Sequence, residues 1–188
     1  MEEFDELKRK ITEDPNSFII LLGAGASIPA GLPSWAGLKD TLCESLADIF
    51  EDEKEYEQKI DEINKSRSPW TMFSKLQSCM GQHRYEKVIV QTLDPNNLTT
   101  PSIYHKLWKL NPAGIIDFNI DRLAINAYSE LFSTAVDYAT SKEPHKYKNY
   151  PLAYNKFVFF PHGIVSDSSS WIFTQRPANK SQALKFDF

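Results

Sequence analysis

Three short groups of residues have types and spacings suited to chemistry on a small molecule. The first, Gly23-Ala24-Gly25-Ala26-Ser27, directly follows the apolar run Ser-Phe-Ile-Ile-Leu-Leu at 17–22. Two glycines one residue apart let the backbone turn tightly and approach a ligand, and a helix after such a turn aims free N–H groups at an anion. That suits a pyrophosphate; the same pattern also makes a plain strand-to-helix turn. Ile28 stands where the dinucleotide fingerprint has its third glycine, and no Gly-Lys-Ser/Thr follows. The loop is therefore neither that fingerprint nor a Walker A loop. Gly31-Leu32-Pro33-Ser34-Trp35 prolongs it with a second glycine turn and an aromatic, and loops this long tend to cover a site.

The second group is Asn119-Ile120-Asp121, after the apolar segment 114–118. A carboxamide there binds a sugar hydroxyl or a water beside a carboxylate that accepts hydrogen bonds; both residue types are equally at home capping a helix. The third is His162, between Pro161 and Gly163 at the end of the aromatic run 157–160. An imidazole in that place serves as a general base near neutral pH, or as a structural hydrogen-bonder. His83 and His105 fall on helical patterns and His145 in a loop, without such a setting.

These groups need a frame. Short apolar runs at 17–22, 114–118 and 157–160 read as strands, with further ones expected at 134–138 and 171–174. Between them lie helical patterns: 2–13, with Phe4, Leu7 and Ile11 on one side; the segment holding Leu38, Leu42, Leu46, Ile49 and Phe50; and one or two helices from Trp70 to Leu93, with Gly81 as a break. Residues 51–62 are dense in mixed charge and read as a solvated helix end or surface excursion. Thr100-Pro101 reads as an N-cap and first-turn proline, and a last helix spans about 121–132. Strands alternating with helices predict an α/β, Rossmann-like fold: a mostly parallel sheet with helices on both faces. Ligands of open α/β sheets bind at the carboxyl ends of the strands, where the three groups fall.

The bulk composition narrows the function. The chain has 188 residues, 41% hydrophobic and 24% charged, which suits one globular domain over 1–188. A net charge of −4, spread along the chain, gives no reason to expect nucleic acid or an anionic membrane as partner. Cys43 and Cys79 have no Cys neighbour at zinc-ligand spacing, so no zinc is expected and buried free thiols are. The charged N-terminus and the lack of a spanning apolar run point to a cytoplasmic protein.

Taken in order, the three groups resemble the sirtuin superfamily. Gly23-Ala-Gly-Ala-Ser27 followed by Gly31-Leu-Pro-Ser-Trp35 resembles its Gly-Ala-Gly-x-Ser-x-x-x-Gly-Ile-Pro-x-Phe, Asn119-Ile-Asp121-Arg-Leu123 its Thr-Gln-Asn-Ile-Asp-x-Leu, and His162-Gly163 its His-Gly. The resemblance spans residues 17–174 and implies NAD as ligand. Gly23, Ala24, Gly25 and Ser27 would then cradle the pyrophosphate, and Pro33 and Trp35 would belong to a loop over the nicotinamide ribose. Asp121 would take the carboxamide, Asn119 would hold the ribose hydroxyls and the attacking water, and His162 would be the base. The chain departs from the family at Asp117-Phe118, which replace Thr-Gln. The Cys-x-x-Cys pairs are absent, with a helical insertion at about 45–95 in place of the zinc module, and few residues follow His162 for the strands that contact the adenine ribose.

In lacking the zinc module, the chain resembles the sirtuin-like domains of bacterial antiphage systems, which hydrolyse NAD. The resemblance thus implies an NAD glycohydrolase that releases ADP-ribose and nicotinamide to deplete NAD during infection. It also implies a part of a larger protein or assembly, as a homo-oligomer or under control of a partner. The alternatives are an NAD-dependent protein deacylase, which needs a peptide groove against a zinc subdomain, and a non-enzymatic module that binds NAD or ADP-ribose.

Overall fold

The computed structural model describes residues 2–143, 145–146 and 155–173. Its centre is a four-stranded sheet formed by β1 (Ile19–Leu22), β2 (Gly114–Asp117), β3 (Asp137–Thr140) and β4 (Phe157–Phe160), in the order β1-β2-β4-β3. All three pairings are parallel, with Leu22 opposite Asp117 and Ile116 opposite Phe159. The architecture is α/β and Rossmann-like, on a small sheet. Ile115, Val158 and Phe160 are fully buried, as strands in a covered parallel sheet must be.

Helices α6 (Ser102–Lys109) and α7 (Leu123–Phe132) pack on one sheet face. Tyr104, Trp108, Leu123, Ala124 and Ala127 share a core with Leu22, Ile115, Val158 and Phe160. The Trp108 indole N–H donates to Ala124 O across 2.8 Å, which pins the two helices together. On the opposite face the core cluster of described residues holds strand residues alone: Phe157, Phe159 and Ala139, flanked by Ile116. Leu21 on that face is 66% exposed, so the expected helical cover on both faces is present on one among the described residues.

The long excursion between β1 and β2 folds as a helical block: α2 (Trp35–Glu44), α3 (Glu53–Asn64), α4 (Pro69–Met80) and α5 (Gln82–Leu93). Leu42, Leu46, Ile63, Leu76 and Ile89 are fully buried in it, each contributing about 1.5–3 kcal/mol of transfer free energy. The charged stretch at 51–62 is thus a helix of its own. Asp52 starts α3 by accepting the Lys54 N–H, and Ile63 at its far end anchors it to the core. Ser68 caps α4, and Gly81 at φ +74° separates α4 from α5.

Three expectations shift. The third strand begins at Asp137 rather than 134, because its register is set by pairing with Phe157 on β4. Trp171–Phe173 form no strand, Ile172 making one backbone bond to His162 O while the rings turn inward; Thr174 lies outside the described residues. Thr100 does not cap α6: Pro101 occupies that position, and the Thr100 hydroxyl donates to Glu130 instead. Helix α1 (Glu2–Glu13) forms as read, with Leu7 more than half exposed.

Candidate functional site

The parallel register brings the carboxyl ends of β1, β2 and β4 side by side. Ser27 follows β1, Asn119 and Asp121 follow β2, and His162 follows β4. Backbone bonds tie these loops together, Phe118 N–H donating to Leu22 O (3.0 Å) and Val165 N–H to Ile120 O (2.7 Å).

Beneath the glycine loop the structure builds a buried polar cluster. Ser27 Oγ lies 2.6 Å from Asp121 Oδ2, 2.9 Å from Tyr104 Oη and 3.1 Å from Asn119 Nδ2. A serine has one proton to give, and the short contact to the carboxylate takes it. Tyr104 must therefore donate to Ser27, as Asn119 does. With Nδ2 held inward, the Asn119 amide is oriented, and its Oδ1 accepts nothing from the described residues. Ser27 and Asp121 are both buried, so the cluster is protected from competing water.

Two carboxyl groups share this interior with no cation paired to either among the described residues. Each accepts the N–H two positions along: Asn119 N–H to Asp117 Oδ1, and Leu123 N–H to Asp121 Oδ1 at the start of α7. The Asp121 bond is a local turn ahead of α7, whose N-cap position is Arg122 without a side-chain cap. Burial raises both pKa values. Asp117 is raised well above the usual range, by burial first and then by the charge of Asp121, and its Oδ2 has no partner among the described residues. Ser27 and the backbone N–H groups favour the charged form of Asp121 and oppose the effect of its burial.

The glycine loop differs from a direct strand-to-helix turn. Two single 3-10 turns, Ala24–Ala26 and Ile28–Ala30, meet at Ser27, and α2 begins only at Trp35, capped by Ser34. Pro29, Gly31 and Pro33 prevent an earlier helix. The N–H groups of Ala24 and Gly25 open the first turn and have no acceptor within it. Gly23 has ordinary extended φ, and a Cβ on either Gly23 or Gly25 would meet nothing within 4 Å. Neither sterics nor a positive φ demands these glycines; they leave open space above two free donors. Gly163 is the opposite case: at φ +92°, with Ser170 O 2.5 Å from where a Cβ would sit, it is required by the fold.

His162 Nδ1 lies 3.1 Å from Phe118 O, so Nδ1 carries the proton and Nε2 is left as the base. Burial holds its pKa below the usual histidine value, against the opposing effect of the Phe118 carbonyl. The ring stands edge-on to Trp35, Trp70 and Phe118.

Asn119 and His162 line different cavities. The smaller one, about 20 Å3, has Ser27, Asn119 and Asp121 on a wall otherwise mostly apolar, with Leu32, Leu38 and Trp35 among its lining, and room for about one water. The other, about 250 Å3, holds His162 among aromatic rings. Trp35 is the wall common to both. The sequence-read residues are thus assembled at one edge, with Trp35 between the amide and the base.

Sequence reading missed Tyr104, Trp70, Phe73 and Phe173. Tyr104 lies among apolar residues on α6, and its signal in the sequence is a phenol hydroxyl in a buried stripe, which needs a partner. Among the described residues no group of three or more His, Cys, Asp or Glu is placed to hold a metal ion, and no helix is long and apolar enough to cross a membrane. Cys43 is buried in α2 and Cys79 half-buried in α4, both as free thiols. No protein-family model matches the chain, and no curated protein matches it either. The class that the geometry defines is an α/β domain with a buried polar cluster beside a small pocket at the carboxyl edge of a parallel sheet.

Proposed function

We infer that this chain binds NAD at that edge and hydrolyses its nicotinamide glycosidic bond to ADP-ribose and nicotinamide, as an NAD-depleting enzyme of antiphage defence. The observation that carries the reading is the ordered cluster Tyr104–Ser27–Asn119–Asp121 lying under glycines that nothing in the protein requires. Backbone N–H groups of Ala24 and Gly25 take the pyrophosphate. Asn119 Oδ1 accepts from a ribose hydroxyl or the attacking water, Asp121 accepts from the nicotinamide carboxamide, and His162 Nε2 takes a proton. Binding requires Pro33 and Trp35 to move off the smaller cavity, because a nucleotide does not fit in about 20 Å3. That displacement also removes the wall between Asn119 and His162.

The helical block stands, in this reading, where sirtuins carry a zinc module, and the protein works in the cytoplasm as a homo-oligomer or under a partner. Following nicotinamide release from NAD, with the chain alone and assembled, tests the reading. Release that disappears in Asn119→Ala supports it; no release in any oligomeric state, or unchanged release in Asn119→Ala, overturns it. The partition by Trp35 favours a second reading, a module that binds NAD or ADP-ribose without turnover. Saturable NAD binding with no nicotinamide release in every state would select it.

A further inference from the structure

The 250 Å3 cavity around His162 is larger than binding one sugar-bound water requires. Trp35, Pro69, Trp70, Phe73 and Phe173 line it with His162, and none of them carries a charge. Trp70 and Phe73 come from α4, Trp35 from the start of α2 and Phe173 from the loop after β4. Trp35 packs edge-on to Phe73 (5.9 Å) and Phe173 (5.3 Å) and forms the inner wall while NAD is absent; Phe73, Phe173 and Trp70, the last 40% exposed at the mouth, remain when Trp35 moves aside for NAD. A dry apolar cavity of about 150 Å3 already takes a benzene ring, so this one has room for a ring with a substituent. With Nδ1 held by Phe118 O, the polar atom that His162 can offer is the acceptor Nε2. A ligand matching this lining has an apolar ring, no charge to desolvate and one hydroxyl to donate.

We propose that this cavity is a subsite for a compact, uncharged aromatic alcohol, which presents its hydroxyl to His162 Nε2 and competes with water as acceptor. The transfer step rests on the NAD reading; the binding does not. In that step the bond between ribose C1′ and the nicotinamide nitrogen breaks, and its electron pair leaves with neutral nicotinamide. The alcohol oxygen bonds to C1′, and its proton passes to His162 Nε2. The products are an O-alkyl ADP-ribose, nicotinamide and a proton.

Benzyl alcohol is the probe, and the indole N–H resonances of the four tryptophans report binding to the full chain without NAD. Trp35 and Trp70 should shift, whereas Trp108, whose N–H is bound to Ala124 O in the other core, should not. Benzoate and benzyltrimethylammonium should each bind about tenfold more weakly or worse, and Trp70→Ala should weaken benzyl alcohol by a similar factor, with Trp70→Phe partly restoring it. Absent shifts at Trp35 and Trp70, or tighter binding of either ion, overturn the subsite. With NAD added, mass spectrometry should find benzyl-ADP-ribose in a larger share than methyl-ADP-ribose from equimolar methanol, and that preference should fall in Trp70→Ala. Nicotinamide release giving ADP-ribose alone overturns the acceptor step while sparing the NAD reading. No nicotinamide release in any state overturns the NAD reading and the acceptor step together, and the indole shifts still decide the subsite.

Discussion

Ser27 gives its one hydroxyl proton to Asp121 across 2.6 Å, joining two residues 94 positions apart in the chain. With Tyr104 and Asn119 donating to the same oxygen, this contact sets the polarity of the whole cluster. Ser27→Ala leaves the Asn119 amide and the Tyr104 hydroxyl without their acceptor and Asp121 without its donor. Chemical denaturation should show a loss of about 1–3 kcal/mol, the cost of buried groups left unsatisfied. NAD affinity, measured by calorimetry, should fall as well.

Gly25→Ala separates ligand contact from folding. The added methyl meets nothing in the protein, and alanine is easier to fix in a turn of ordinary φ, so thermal stability should hold or rise by about 0.4–1 kcal/mol. NAD binding should weaken by about tenfold or more, because the methyl occupies the space through which a pyrophosphate reaches the loop. Gly163→Ala should do the reverse and lower the melting temperature first, since its methyl meets Ser170 O.

The direction of the His162 shift fixes the shape of the pH profile. Burial lowers its pKa, so the neutral base persists below the usual value of about 6.5. Nicotinamide release, as kcat/KM, should stay level as pH falls from 8 through 6.5 and decline only below that. His162→Gln should abolish the acid limb and lower the rate by about 10²–10⁴-fold. A limb centred above 6.5 would assign the titration to another group.

Asp117 predicts a stability that declines with rising pH. Its carboxyl keeps its proton in the folded protein to higher pH than in the unfolded chain. The folded state therefore binds more protons across that interval, and stability falls as pH climbs from about 4 through the raised value. Asp117→Asn keeps an acceptor for the Asn119 N–H and removes the ionisation. The variant's melting temperature should exceed wild type at pH 8, and the gap should close as pH falls toward about 4.

Much of the frame was legible because apolar runs stopped abruptly at Gly23, Asn119 and Pro161-His162, and those ends are where the sheet places its polar edge. Periodicity also found α2, α4, α5 and α7. It misplaced β3, since Thr134, Ala135 and Val136 look as extended as Tyr138, and only pairing with β4 distinguishes them. Trp171–Phe173 have strand composition but spend their rings on packing, Phe173 against Trp35 and Phe73. Tyr104 reaches Ser27 across 77 positions, a proximity that no local spacing encodes. The partition by Trp35 was likewise invisible, because it depends on how α2 and α4 meet around His162.

Strand β4 is the last of the four to be synthesised, yet it lies between β2 and β3. While the chain is still emerging from the ribosome, β2 and β3 therefore have no shared neighbour, and the imidazole has not been made. A nascent or prematurely terminated product that stops before residue 157 lacks both the central sheet strand and the base. Under the proposed function, NAD hydrolysis would begin only once residues 157–162 have been made and β4 has entered the sheet between β2 and β3.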